Sequence, residues 1–182
     1  PADFPILVKF TPDQRVEGFR TLDEGLEIAK ILEGAGITAL HVDTGCYEEW
    51  FQAITTCYSR PGHKLDVEKA VKDAVHIPVL GDGKLYDPQL AEKVISDGIL
   101  DYMGLGHEML ADPYWPAKMK KGAYEDIRPC IGCNECLLAG FSGKHYYCAV
   151  NPTCYAEKEY ALPKPDGNKR SILVIGGGPG GM

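Results

Sequence analysis

Four cysteines dominate the chemistry that this chain can offer: Cys130, Cys133 and Cys136 in RPCIGCNEC, then Cys148 in YYCAVNP. Three thiols within seven residues and a fourth twelve residues further on can converge on one inorganic centre, which makes redox chemistry at a [4Fe-4S] cluster the leading reading. The alternative is a structural zinc, although zinc sites usually draw their ligands as two separated pairs, each on its own turn. Disulfides are the weakest reading, because nothing in the chain indicates an oxidising compartment. Cys46 and Cys57 lie far from the run and read as small buried residues, and Cys154, six residues after Cys148, reads the same way. A second constellation, Gly176-x-Gly178-x-x-Gly181, directly follows the apolar run Ser171–Ile175. That order fits a dinucleotide fingerprint, in which glycines let the backbone approach a pyrophosphate at a helix N-terminus.

The elements that must position these groups alternate short apolar runs with amphipathic stretches. Strands are expected at Ile6–Phe10, Ala39–Asp43, Ile77–Gly81 and Asp101–Leu105, rich in the branched residues of parallel strands buried on both faces. Thr21-Leu-Asp-Glu24 is a capping box that leads into Leu22, Leu26, Ala29 and Leu32, with Gly36 as a stop. Asp66 opens a second helix carrying Val67, Ala70, Val71 and Ala74. Asp87-Pro88 and Asp112-Pro113 each place an N-cap before a proline at the first helical position. Four consecutive βα units predict an α/β fold with a parallel sheet and helices outside. Four units are half of an eight-unit barrel, and a half barrel leaves strand edges that are prone to associate.

The chain is expected to divide into a half barrel over residues 1–120, a cysteine segment over 121–160, a linker over 161–170 and the first strand of a nucleotide-binding domain over 171–182. The cysteine segment has little periodicity, so a metal is expected to order it. Across the 182 residues, 45% are hydrophobic and 25% charged, enough for one good core. A net charge of −7 argues against a nucleic-acid surface. No apolar run approaches the length of a membrane span, and the start PADFPILVKF has no signal-peptide pattern, so a cytoplasmic protein is expected. The chain opens without Met and stops at Met182 inside the glycine motif, so a longer polypeptide is expected around it.

In this order, HVDTGCYEEW, LGHEMLADP, RPCIGCNEC with CAVNP, and VIGGGPGGM resemble the old yellow enzyme-related family of multi-cofactor flavoproteins, of 2-enoate reductase, 2,4-dienoyl-CoA reductase and trimethylamine dehydrogenase type. The resemblance covers essentially the whole chain. It implies the C-terminal half of an FMN-bearing (βα)8 barrel, a [4Fe-4S] segment and the start of an FAD/NAD(P)-binding region, with the rest of the barrel upstream. Lys9 falls where the family usually has an Arg beside the flavin N1 and O2; Lys keeps the charge and loses the bidentate fork. Gly83, Lys84, Gly106 and His107 fall where the family binds the FMN phosphate, and His107 replaces an Arg. Tyr47 falls at or near a histidine of dienoyl-CoA reductase, where a phenol can donate a proton or bond a carbonyl; packing within an aromatic loop is the alternative reading. His41 and His76 read as structural, and His63 and His145 as loop residues.

The implied activity is NAD(P)H-dependent reduction of an activated C=C bond in a small-molecule substrate, a 2-enoate or an enoyl thioester. Electrons would pass from NAD(P)H through FAD and the cluster to FMN. Amine oxidation of trimethylamine dehydrogenase type and a non-catalytic, zinc-stabilised binding module are the alternatives.

Overall fold

The computed structural model describes residues 4–160 and 166–180. Gly181 and residues 161–165 of the expected linker lie outside the described residues. Four parallel strands form one sheet in sequential order: β1 (Leu7–Asp13), β2 (Ala39–Thr44), β3 (Val79–Gly81) and β4 (Tyr102–Met103). Between them run α1 (Leu22–Gly34), the short α2 (Trp50–Ala53) with α3 (Leu65–Ala74), and α4 (Pro88–Ser96). Beyond β4 come α5 (His107–Ala111), α6 (Trp115–Lys121) and α7 (Glu135–Phe141). The register sets Lys9 opposite His41, His41 opposite Leu80, and Gly81 opposite Met103.

Local chemistry starts the helices where expected in two cases. The Thr21 side chain accepts from Glu24 N–H while the Glu24 carboxylate accepts from Thr21 N–H at 2.8 Å, a complete capping box. The Asp87 carboxylate accepts from Leu90 N–H at 2.8 Å, with Pro88 at the first helical position. The third case differs. Asp112 ends α5 instead of starting a helix at Pro113, and α6 begins at Trp115. Its carboxylate is drawn elsewhere, to Lys118 Nζ at 2.5 Å and to the N–H groups of Arg128 at 2.9 Å and Tyr114 at 3.1 Å.

Alternation along β2 explains the layering. Leu40 and Val42 are fully buried and meet Ala29 of α1, Val67 and Val71 of α3, Val79 of β3 and Val94 of α4 in one apolar core. His41 and Asp43 point to the opposite face, because successive strand side chains alternate. The expectation of strands apolar on both faces is therefore corrected: one face carries the core and the other carries polar groups around a cavity.

The expected strand Ser171–Ile175 is also absent from the structure. Residues 170–177 run without strand pairing, and Ile172, Leu173, Val174 and Ile175 are exposed. A strand needs a ladder partner, and none faces this segment among the described residues. The cysteine segment, by contrast, is ordered in part by protein contacts. Tyr86 Oη donates to Cys130 O at 2.7 Å, Asn134 Nδ2 to Thr55 O at 3.2 Å and Asn151 Nδ2 to Leu110 O at 2.8 Å.

Candidate functional site

The polar sheet face and the loops after the strands enclose a cavity of about 750 Å³. Lys9 and Thr11 come from β1, His41 and Asp43 from β2, Asp82, Gly83 and Lys84 from the loop after β3, and Gly106, His107 and Glu108 from the turn into α5. Ligand sites in parallel α/β folds gather at these C-terminal strand ends, where loops can vary while the sheet stays rigid. Cys130 and Gly132 complete the wall. The cysteine segment and the strand-end loops thus share one cavity.

Of the residues singled out in the sequence, Lys9, Tyr47, Gly83, Lys84, Gly106 and His107 all border this cavity. Their partners qualify them. Lys9 Nζ sits 2.9 Å from Asp43 Oδ2, so its charge is already paired. Lys84, at a left-handed φ of 65°, turns its ammonium onto Ser59 O at 2.9 Å and the carbonyls of Thr56 and Cys57 at 3.4 Å. Burial lowers the pKa of His107, which favours the neutral imidazole. Tyr47 lies at the rim, 83% exposed, with its ring edge-on to Trp50, which in turn meets Phe141 of α7 edge-on. Gly176 and Gly178 are exposed and far in sequence from any pairing segment.

A second set of groups escaped the sequence reading. Lys64, to which the sequence analysis assigned no role, is buried and bridges Asp43 Oδ1 at 2.5 Å and Asp82 Oδ1 at 2.6 Å. Burial by itself would lower the Lys64 pKa, yet the two carboxylates outweigh it and raise it. Asp82 is likewise opposed by burial, but His41, Lys64 and Lys9 bring it down to about 2. His41 Nε2 lies 3.2 Å from Asp82 Oδ2, so this histidine belongs to the cavity's charge network as well as to the strand. The signal available was the period-two pairing of His41 with Asp43 on β2, two polar residues on one face of a strand whose other face is apolar.

The thiols of Cys130, Cys133, Cys136 and Cys148 are all free. Burial raises the pKa of Cys130 and Cys136, and the neighbouring thiols add to it: Cys136 and Cys148 act on Cys130, and Cys133 and Cys148 on Cys136. Among the described residues no three His, Cys, Asp or Glu side chains are gathered closely enough to hold a metal ion, so the structure does not itself assemble the four thiols expected to hold the cluster; a cationic centre would supply the charge that lets them deprotonate. Cys154 is buried and feels Cys148 and Cys136. Glu108, buried and held up to about 7 by that burial, accepts from Cys130 N–H at 2.7 Å and so joins the cysteine loop to the cavity wall.

No family model matches the chain. Individual relatives do. The chain is 39% identical over 182 residues to an NADH oxidase of Thermoanaerobacter brockii, covering 99% of this chain and 28% of that protein. It is 35% identical over 195 residues to a cinnamate reductase of Clostridium sporogenes, covering 99% of this chain and 29% of the relative. Among solved structures, a 2-naphthoyl-CoA reductase in complex with 2-naphthoyl-CoA superposes with a TM-score of 0.87 at 32% identity, over 98% of this chain and 28% of that one. The chain thus spans just over a quarter of the length of the proteins it matches.

Proposed function

The chain belongs to the old yellow enzyme-related oxidoreductase family that these relatives represent, and on that premise we propose that its 182 residues carry half of an FMN-binding (βα)8 barrel and the ligands of a [4Fe-4S] cluster in an NAD(P)H-dependent reductase of activated C=C bonds. The observation that carries this reading is the shared wall: Cys130 borders the same cavity as Lys9, Lys84 and His107. With the cofactors bound, FMN supplies hydride to the alkene, and the cluster supplies one-electron exchange with an FAD reduced by NAD(P)H, since separated flavins cannot exchange hydride directly.

The chain's own residues then have definable tasks. Cys130, Cys133, Cys136 and Cys148 hold the cluster as thiolates. Lys9 presents an ammonium, half exposed, to the ring. Gly83 and Gly106 bring backbone N–H groups close to a phosphate, and Lys84 offers a point charge once it leaves the carbonyls of the loop before α3. His107 donates one hydrogen bond where an Arg would offer a fork. The phenol of Tyr47, exposed at the rim, would give a proton to the substrate carbon or a hydrogen bond to its carbonyl. Gly176 and Gly178 with Gly181 approach the pyrophosphate of FAD when the following domain is present.

The deciding experiment is anaerobic purification of the full-length protein. Broad visible absorption bleached by dithionite, with roughly four irons per chain and FMN released on denaturation, is the expected result. A colourless protein with one zinc per chain and no flavin supports the binding-module reading instead and sinks the electron-transfer proposal.

A further inference from the structure

Helix α3 sends two ionisable side chains, Lys64 at its N-cap and Glu68 one turn later, under the loop that follows β3. The end of β3 and the loop make room for them with glycines. A Cβ on Gly81 would stand 2.4 Å from the Glu68 carboxyl carbon, and one on Gly83 would stand 3.1 Å from Lys64 Cγ, at a φ of 105° that already disfavours other residues. The Lys64 side chain is 3% exposed, and its ammonium meets one oxygen from each of two aspartates, Asp43 Oδ1 and Asp82 Oδ1. The other oxygen of each carboxylate turns toward the cavity: Asp43 Oδ2 to Lys9 at 2.9 Å, and Asp82 Oδ2 to His41 at 3.2 Å and Lys9 at 3.9 Å.

This is a two-tier arrangement. A buried ammonium is expensive unless paired, and here its two carboxylates are in turn the anchors of the cationic groups that a ligand would meet. Two ammonium groups and two carboxylates balance. In a low-dielectric wall a change of one unit in that balance is felt by anything bound above it.

We propose that Lys64, Asp43 and Asp82 are positioning residues that hold Lys9 and His41 against the cavity and set how far a bound ring is favoured in its anionic, reduced form. The inference rests on the flavin reading above. On two-electron reduction the ring takes two electrons from the reductant and one proton, and so gains one negative charge, which is what the network discriminates.

The test is the midpoint potential of FMN in the full-length protein, titrated with dithionite. Asp43→Asn leaves the wall one unit more positive and is expected to raise the ratio of affinities for reduced over oxidised ring about tenfold, ~30 mV for a two-electron couple. Lys64→Met is expected to move it about as far in the opposite direction, and Lys64→Met with Asp43→Asn, which restores the balance, to return it near the parent value. If Lys64→Met does not fold, the sign of the Asp43→Asn shift decides by itself. Potentials that stay unchanged, or that fall in both single variants, overturn the inference while leaving the flavin reading intact. A parent protein that holds no FMN overturns both.

Discussion

Glu68 shows how far the interior can move a side chain from its behaviour in water. It is fully buried, its Oε1 accepts from Asp82 N–H at 2.7 Å, and burial pushes its pKa up to about 8. A folded-state pKa raised above the unfolded value means that the folded chain binds the proton more tightly. Stability from this group is therefore complete below the unfolded pKa and is lost as pH climbs toward the folded one. Glu68→Gln keeps the acceptor and removes the titration. Urea melts should show the variant gaining on the parent by up to about 1.4 kcal/mol per pH unit between the two pKa values, with the gap closing in acid; parallel curves would refute it. A second residue-scale prediction concerns the thiols. Cys133→Ser in the full-length protein is expected to lose iron, whereas Cys57→Ser, exposed in the loop beneath Gly132, is expected to keep it. Equal loss from both would mean that the ligand set is wrong.

At the scale of elements, caps and glycines carry information that side-chain composition does not. The capping box at Thr21 and the aspartate cap at Asp87 were legible because they involve residues three apart, and both formed as expected. Thr21→Ala should lower stability by about 1 kcal/mol, read as an earlier urea midpoint with an unchanged slope. Asp112-Pro113 has the same local pattern as Asp87-Pro88 but a different outcome, since Lys118 and Arg128 N–H compete for its carboxylate. Helix α3 packs closely on the end of β3. Gly81→Ala must displace the Glu68 carboxyl, and a loss of stability larger than that of Thr21→Ala is expected, since the fully buried Glu68 side chain has no free space to move into without disturbing the packing around it. Equal losses in the two variants would show that the loop yields more easily than the geometry indicates.

For the molecule as a whole, the sheet leaves β1 and β4 as edges among the described residues, and Ile172, Leu173, Val174 and Ile175 stand exposed. Unpaired edges and apolar runs invite association. The 182-residue chain by itself should therefore gain mass with concentration in size-exclusion chromatography with light scattering; a constant monomer would show these edges to be protected. What the sequence determined by itself was local: four βα units, two capped helices and a spacing of thiols suited to one centre, all governed by interactions within a few residues. The cavity was decided only in three dimensions. Its charged wall joins Lys9, Asp43, Lys64 and Asp82 from four separate segments, and a lysine's burial or a carboxylate's second partner depends on chain neighbours that no local pattern encodes. Tertiary packing also decided that the strand expected at Ser171–Ile175 does not form here, because a strand is defined by its hydrogen-bonded neighbour and not by its own side chains.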